Sequence, residues 1–219
     1  MAYHGNLTAN RAAAWADSLL VDHAVFRLVW TNRDQVIPGR LYRSNHPTPG
    51  RLGAAKRKLG LTTLINLRGR RHCGSDALSR EAANRLGLRH IDMAFESRGA
   101  PHRDRILRFH EIFLSLDGPT LMHCKSGADR AGLASGLAVM FAGGTSTDAL
   151  SQLSWRFGHW KSARTGILDA FFHLYAHQAE GRLSLIDWVK DEYDEVALKR
   201  DFVANGLASF ITDRILRRE

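Results

Sequence analysis

Residues 121–132 have the sequence Leu-Met-His-Cys-Lys-Ser-Gly-Ala-Asp-Arg-Ala-Gly. The apolar residues before Cys124 fit the end of a short buried strand, and the Ala- and Leu-rich residues from Ala128 onward fit a buried helix. The small residues between them can bring their backbone N–H groups to one point at the N-terminus of that helix. The segment therefore predicts a strand–loop–helix unit whose loop binds an anion.

The surrounding sequence alternates in the same way. Apolar, β-branched runs predict strands at 61–67, 88–93 and 120–123. Segments with a helical period predict helices at 51–59, 76–86, 103–116, 128–141, 146–156, 164–178 and 183–204. Strands alternating with helices indicate an α/β fold with a central, mostly parallel sheet flanked by helices, followed by a helical C-terminal region.

Composition limits the partners. The chain has 219 residues, which fits one domain or one domain with an appendage, and 31 Lys and Arg against 22 Asp and Glu give a net charge of +9. Such a charge favours anionic ligands. Nucleic acid is not expected, because no basic platform is interleaved with aromatic residues. The 11 histidines are scattered without metal-ligand spacing, so no metal is expected.

Cysteine content and hydropathy bear on location. Only Cys73 and Cys124 occur, which argues against a disulfide-stapled secreted fold. No apolar run reaches the roughly 20 residues that span a bilayer, and the N-terminus lacks a secretory pattern, so we expect a cytoplasmic protein. Residues 15–29 fit an amphipathic helix packed on the domain, with weak contact to a membrane surface as the alternative.

Cys124 and Arg130 define the expected chemistry. Cysteines at helix N-termini and beside cations react readily as thiolates, and the planar guanidinium of an arginine matches two phosphate oxygens. Cys124 is therefore the expected nucleophile, which attacks phosphorus and forms a phosphocysteine that water hydrolyses. Arg130 and the backbone of the loop would hold the phosphate oxygens; those loop residues are Lys125, Ser126, Gly127 and Ala128. This chemistry requires no cofactor.

The His-Cys-x5-Arg pattern, here HCKSGADRAG, resembles the signature of the protein tyrosine phosphatase superfamily. The likeness is strongest to bacterial members of the dual-specificity and lipid-phosphatase type. Tyr42-Arg43-Ser44, the strand end at 65–68 and the loop at 97–101 agree with it, so it spans roughly 38–165. It implies a phosphomonoesterase whose substrate is a phosphoprotein, a phosphoinositide or another phosphorylated lipid or sugar.

The resemblance also suggests how the chain is divided. We expect a helical extension over 1–35 and a phosphatase domain over 36–180. A helical segment over 181–219 would pack on the same domain.

The resemblance implies that an aspartate protonates the leaving oxygen. In many members this aspartate lies on a mobile loop about thirty residues upstream, but the loop at 95–99 has none, and Asp92 falls inside a predicted strand. Other members carry Asp-Arg within the phosphate loop and use that aspartate as acid and base. We therefore favour Asp129 over Asp92, with Glu96 third; the alternative for Asp129 is a first-turn residue that only stabilises its helix.

Further roles follow from the same resemblance. Lys125 and Arg98 are expected to contact a strongly anionic substrate, although each also fits a solvated surface charge. Arg68, like Arg43, is expected to brace the site. His123 would orient the backbone at the nucleophile, and His159 would lie over the pocket where such proteins hold the attacking water.

Two other functions stay open. Ala131 occupies a position where members usually carry Ser or Thr, and this favours a phosphate-binding pseudophosphatase with weak turnover. A rhodanese-like sulfurtransferase would also place a loop cysteine near an arginine. Cys124 and Arg130 together favour the phosphatase over both.

Overall fold

The computed structural model describes residues 14–15 and 30–210, with side chains described through residue 203. The extension predicted over 1–35, including the amphipathic stretch at 15–29, therefore lies almost entirely outside the described residues. Between residues 30 and 210, no helix is both long enough and apolar enough to cross a bilayer.

Five strands form one sheet in the order β1-β2-β5-β3-β4. Their bounds are β1 Asp34–Ile37, β2 Leu41–Ser44, β3 Thr63–Asn66, β4 Arg89–Asp92 and β5 Thr120–His123. β1 runs antiparallel to β2, and all the other neighbours are parallel. The prediction of an α/β fold with a mostly parallel sheet is confirmed.

The carboxyl ends of four strands form one row. Across the parallel pairs, His123 at the end of β5 lies opposite both Ser44 and Asn66, and Asn66 lies opposite Asp92. β3 and β5 are buried along their whole length, which explains why each has two adjacent apolar residues at its centre rather than an alternating pattern. The residue that follows β5 is therefore held at this edge of the sheet.

The chain divides into two compact units. From residue 30 onward, the first contains the sheet and two helices, α1 Pro49–Leu59 and α2 Gly74–Arg85. Thr48 accepts a hydrogen bond from the Arg51 N–H at the start of α1, and Gly60 ends that helix in the left-handed region at φ 66°. Leu52 and Ala55 from α1 join Leu64 of β3 and Ala82 of α2 in one apolar core.

The second unit, Phe95–Ser115 with the chain from Ala128 onward, is helical. Its helices are α3 Arg103–Leu114, α4 Asp129–Phe141, α5 Ser146–Ser151, α6 Ile167–Gln178, α7 Leu185–Asp191 and α8 Glu195–Phe210. Gly132 and Gly136 let α4 approach its neighbours closely. A Cβ on Gly132 would lie 2.7 Å from Leu153 Cδ2, and one on Gly136 would lie 2.7 Å from Phe172 Cζ.

The sequence patterns missed two strands, and one predicted helix was wrong in detail. The chain around Pro38 is the turn of a hairpin between β1 and β2, two strands that the patterns did not reveal. The helix predicted over 183–204 is broken after Asp191, because the buried Tyr193 turns inward and its hydroxyl donates to the Pro101 carbonyl at 2.8 Å. Asp194 then accepts hydrogen bonds from the first N–H groups of α8 and starts that helix.

Candidate active site

The loop predicted to bind an anion connects β5 to α4. Cys124 follows the last residue of β5, and Asp129 is the first residue of α4. The predicted strand and helix on the two sides of the loop are thus confirmed. Cys124 is 1% exposed and Ala128 is buried; Lys125 and Arg130 are half-buried, and Ser126 is exposed.

Three consecutive carbonyl groups of the loop accept hydrogen bonds from residues outside the loop. Arg43 Nη2 donates to the Gly127 oxygen at 2.7 Å, and Asn32 Nδ2 donates to the Ser126 oxygen at 3.0 Å. The His46 N–H donates to the Lys125 oxygen at 3.3 Å. These bonds fix the orientation of the peptide planes, because the C=O and N–H of one peptide point in opposite directions.

The peptide between Ser126 and Gly127 shows the effect directly. Its carbonyl is bound by Asn32, while its N–H, on the Gly127 side, donates to Cys124 Sγ at 3.2 Å. The loop thus curls around the sulfur with an N–H on its inner side. Gly127 has φ 79°, and a Cβ there would lie 2.7 Å from the Asn45 nitrogen, so only glycine fits.

Asn32 is a site residue that the sequence analysis missed. Its φ is 46°, in the left-handed region that asparagine tolerates better than most residues, and it is only 6% exposed. The neighbouring backbone is fixed as well, because the Asn45 N–H donates to the Thr31 carbonyl at 3.0 Å. No local pattern marks Asn32, since its partner lies 94 residues away in the sequence.

Asp92 lies in a network of ion pairs at the end of β4. Arg80 Nη2 contacts both of its carboxylate oxygens at 2.7 and 2.8 Å, and Asn66 Nδ2 donates to it at 3.1 Å. Arg80 Nε also binds Asp76 at 2.7 Å. Burial alone would raise the pKa of Asp92, but the hydrogen bonds and charge of Arg80 lower it below its usual range. Asp92 is therefore held as a carboxylate.

Asp129 lies in a second network. Its Oδ1 is 2.8 Å from His159 Nδ1, and His159 Nε2 is 2.6 Å from Asp169 Oδ2. The His159 side chain is fully buried and that of Asp169 is 5% exposed, whereas the Asp129 side chain is 25% exposed. Asp129 begins α4 and Asp169 lies in the first turn of α6, where the helix dipole favours a negative charge.

His159 carries a positive charge between these two carboxylates. Burial alone would lower its pKa, but the hydrogen bonds and charges of Asp129 and Asp169 raise the pKa of His159 to about 9. Gly158, at φ 77°, ends the short 3-10 helix at Trp155–Phe157, and the His159 N–H donates to the Ser154 carbonyl at 3.1 Å. Both ring nitrogens thus have carboxylate partners.

The remaining basic candidates lie in different surroundings. Arg68 Nη1 is 3.2 Å from His46 Nδ1, and His46 Nε2 in turn lies 3.1 Å from the Ser75 carbonyl, so Arg68 contacts the segment that holds the loop. His123 is fully buried, with its ring centroid 4.6 Å from that of His46. Burial, together with the charge of neighbouring groups, lowers the pKa of His123 well below its ordinary value, so the ring is neutral.

Glu96 and Arg98 lie in the second unit. Glu96 forms an ion pair with Arg105 and lies 3.7 Å from His102 Nε2. Arg98 is exposed and helps to line a cavity of about 450 Å³. The other lining residues are Ser162, Ala163, Arg164, Ile167, Lys199, Phe202 and Val203. None of the described residues that line this cavity is a carboxylate, so this lining is cationic and partly apolar.

Comparisons with known proteins agree in fold. No family model matches the chain, and no curated protein matches it in sequence. A DUF442 protein from Shewanella putrefaciens CN-32 aligns with a TM-score of 0.50 and 14% identity, over 70% of this chain and 98% of its own. This likeness shows that the chain shares the fold of that protein. TpbA of P. aeruginosa aligns with a TM-score of 0.49 and 20% identity, over 79% of this chain and 91% of its own.

The PP-IP phosphatase SIW14 of S. cerevisiae, crystallised with citrate, aligns with a TM-score of 0.44 and 16% identity, over 81% of this chain and 94% of its own. In this chain, the loop after β5 begins at the carboxyl edge of the sheet. Across residues 14–15 and 30–210, no group of three or more His, Cys, Asp and Glu side chains is arranged to hold a metal ion.

Proposed function

We propose that the chain is a cysteine-dependent phosphomonoesterase that acts through a phosphocysteine intermediate. The observation that carries the proposal is the peptide between Ser126 and Gly127, whose carbonyl is bound on one side while its N–H points at Cys124 Sγ at 3.2 Å. A loop held in this way directs backbone dipoles toward a point beside the sulfur, where three phosphate oxygens would gather negative charge.

The proposed reaction has two steps. The Cys124 thiolate attacks phosphorus, the bond to the leaving oxygen breaks, and that oxygen takes a proton from an acid. Water then attacks the phosphocysteine, a base takes the proton of the water, and the sulfur leaves as a thiolate. Arg130 would hold two phosphate oxygens in both steps, and the backbone of residues 125–128 would hold the others.

Asp129 is the proposed acid and base. All three candidate carboxylates have a cationic partner, but the partners differ chemically. Asp92 is bound by Arg80, and Glu96 by Arg105, and an arginine does not release its proton in a protein. Asp129 is bound by His159, which does exchange protons.

Ala131 affects the second step. It is fully buried and has no hydroxyl that could donate to the sulfur as the sulfur leaves. We therefore expect a burst of the first product before the steady state, because the phosphocysteine would form faster than it is hydrolysed. A chain that binds phosphate analogues tightly without a burst or turnover would instead be a pseudophosphatase.

The cavity lined by Arg98 supports an anionic substrate with an apolar part. Arg98, Arg164 and Lys199 supply positive charge, and Ile167 and Phe202 supply apolar surface. A phosphorylated lipid combines these two properties, and a phosphopeptide combines them less well. We therefore place phosphoinositides and other phosphorylated lipids ahead of phosphoproteins as substrates. Competing assays with the two classes, at matched concentration, would test this order.

A membrane-surface contact agrees with that substrate class. Trp155 and Trp160 are 80% and 66% exposed, Arg156 and Lys161 beside them are exposed, and no acidic residue occurs between 155 and 166. Exposed tryptophans beside cations are typical of surfaces that bind anionic lipid headgroups. We expect the chain to co-sediment with phosphatidylglycerol vesicles at low salt, and Trp155→Ala/Trp160→Ala to weaken this binding. Equal binding by the variant would place any membrane contact elsewhere.

We further propose that residues 36–180 form the phosphatase domain and that 181–219 pack on it. The hydrogen bond from the Tyr193 hydroxyl to the Pro101 carbonyl supports this packing. Cys73 and Cys124 are both free, which supports a reducing, cytoplasmic location.

Hydrolysis of p-nitrophenyl phosphate by the wild type and by Cys124→Ser tests the proposed function. We expect the substitution to lower turnover at least about a thousandfold, because it removes the nucleophile. The variant should still bind vanadate or phosphate, since the loop is unchanged. Activity that survives the substitution would refute the phosphocysteine mechanism, and thiocyanate formation from thiosulfate and cyanide would identify a sulfurtransferase.

A further inference from the structure

His159 and Asp169 lie behind Asp129 and form a continuous chain of hydrogen bonds with it. The distances are 2.8 Å from Asp129 Oδ1 to His159 Nδ1 and 2.6 Å from His159 Nε2 to Asp169 Oδ2. His159 is 2% exposed and Asp169 is 3% exposed, so two charged groups that water could solvate only poorly are held in the interior. Burying such groups costs free energy that a purely apolar contact would not cost.

We propose that the His159–Asp169 pair is a proton reservoir for Asp129, and that His159 is a positioning residue of the phosphatase reaction. This inference rests on the proposed function. Asp129 reaches solvent with a quarter of its side chain, whereas His159 and Asp169 do not, so only Asp129 could touch a substrate. The buried pair acts through Asp129.

The protons balance over one turnover. Before the first step the three groups hold two protons, either both on the imidazole ring or one on Asp129 and one on His159 Nε2. In the first step Asp129 gives one proton to the leaving oxygen, and the neutral His159 keeps its other proton toward Asp169. In the second step a water proton returns to Asp129 or, through it, to His159 Nδ1. One monoester and one water thus give one alcohol and one phosphate.

The reservoir explains how an aspartate can supply a proton near neutral pH. A solvated carboxyl has lost its proton well below neutrality. Here the proton is kept by a histidine whose pKa is raised to about 9. Transfer from Nδ1 to Asp129 leaves the Nε2–H donating to Asp169, so the ring stays in one tautomer and one orientation.

Asp129 faces the His159 ring from α4 and Asp169 faces it from α6. His173, one turn after Asp169, has a pKa lowered chiefly by burial, with Asp169 opposing and Lys161 adding to that effect. His173 is therefore neutral and does not compete for the proton. The titration of the pair is expected to reflect these three groups together.

Substrates with good and poor leaving groups distinguish a proton reservoir from a structural contact, because only a poor leaving group needs the proton. We expect His159→Gln to lower kcat/KM for phenyl phosphate by about 100-fold, because the poor leaving group needs the proton. For p-nitrophenyl phosphate, whose leaving group is better, the loss should stay below about tenfold. Equal losses on the two substrates would overturn the reservoir.

The pH profile provides a second measurement. For the wild type, kcat/KM on phenyl phosphate should fall as the pH rises through about 9. Asp169→Asn removes a negative charge from His159, so this fall should move at least about one pH unit lower. An unmoved profile in Asp169→Asn would overturn the proposal.

One further measurement needs no variant, should either substitution prevent folding. The NMR titration of the His159 ring in the wild type should report a pKa near 9. A ring that titrates at the ordinary value of histidine would refute the reservoir. The outcomes remain separate from those of the proposed function: if Cys124→Ser is inactive and both substrates lose equally in His159→Gln, the phosphatase stands and only the reservoir falls.

Discussion

Two networks in this molecule have the same plan, a cation between two carboxylates, and differ in the cation. In the first unit Arg80 lies between Asp76 and Asp92, at 2.7 Å from each. In the second unit His159 lies between Asp129 and Asp169, at 2.8 and 2.6 Å. The distances are nearly equal, so geometry does not separate the two networks.

Proton chemistry separates them. Arginine keeps its proton at any pH at which the protein is folded, so the first network is a fixed arrangement of charges that ties β4 to α2. Histidine can pass its proton to either neighbour, so the second network has more than one protonation state. The comparison favours Asp129 over Asp92 as the acid, because the partner of Asp129 can return a proton and the partner of Asp92 cannot.

The largest expected effect is on turnover. We expect Asp129→Asn to lower kcat about 10²- to 10⁴-fold, because it removes the acid, while the affinity for phosphate analogues stays nearly unchanged. Asp92→Asn is the matched control and should lower kcat by less than about tenfold, since Asp92 is bound to Arg80. Steady-state kinetics of both variants decides the point. A large loss in Asp92→Asn with wild-type turnover in Asp129→Asn would reverse the assignment.

The second effect is on stability at neutral pH. Arg80→Gln leaves the 4% exposed Asp76 without its cation, and we expect the free energy of unfolding to fall by about 2–4 kcal/mol. Urea denaturation measures this change. The control is Arg85→Gln, whose ion pair with Glu81 is 3.9 Å long and exposed, and which should change stability by less than about 0.5 kcal/mol. Equal effects would show that the first network does not stabilise the fold.

The smallest effect is a dependence of stability on pH. The folded pKa of His159 is about 9 against an ordinary value of 6.5, so the folded chain binds more protons between these values. The contribution of His159 to the free energy of unfolding is complete below about pH 6.5 and decreases as the pH rises. It is lost above about pH 9, which is a fall of up to about 3 kcal/mol.

Unfolding free energies measured from pH 6 to 10 should show this fall in the wild type and lack it in His159→Gln. His173→Gln is the control, because the pKa of His173 is lowered rather than raised, and it should keep the fall. If the unfolding free energy of His159→Gln fell by the same amount, a group other than His159 would be responsible for the pH dependence.

The sequence predicted the parts of the fold that depend on local patterns. The strand at 120–123 was predicted with the bounds that β5 has, and α1 ends at Gly60 as its sequence suggested. Strand β2 was missed because its four residues carry a buried arginine and serine rather than an apolar run. The arginine is buried because it binds the Gly127 carbonyl, a partner 84 residues away.

The site shows the same limit. Cys124 and Arg130 are close in sequence, so their spacing singled them out, and the family resemblance that this spacing carries pointed to Asp129 between them. Asp169 was missed, because it lies 40 positions after Asp129 inside a segment that has the pattern of an ordinary helix. A first-turn aspartate ordinarily indicates only a favourable helix dipole. Tertiary contacts through His159 give it a different environment, and no local pattern contains that information.

Asn32 bears on how the chain can be shortened for experiments. Its side chain holds the Ser126 carbonyl, yet it precedes β1 and lies before residue 36, where the sequence signature suggested that the domain begins. An expression clone trimmed to that residue would lose this tie to the nucleophile loop together with Asp34 and Gln35, the first two residues of β1. Such a fragment should work poorly, so clones meant for assays need to start upstream of Trp30.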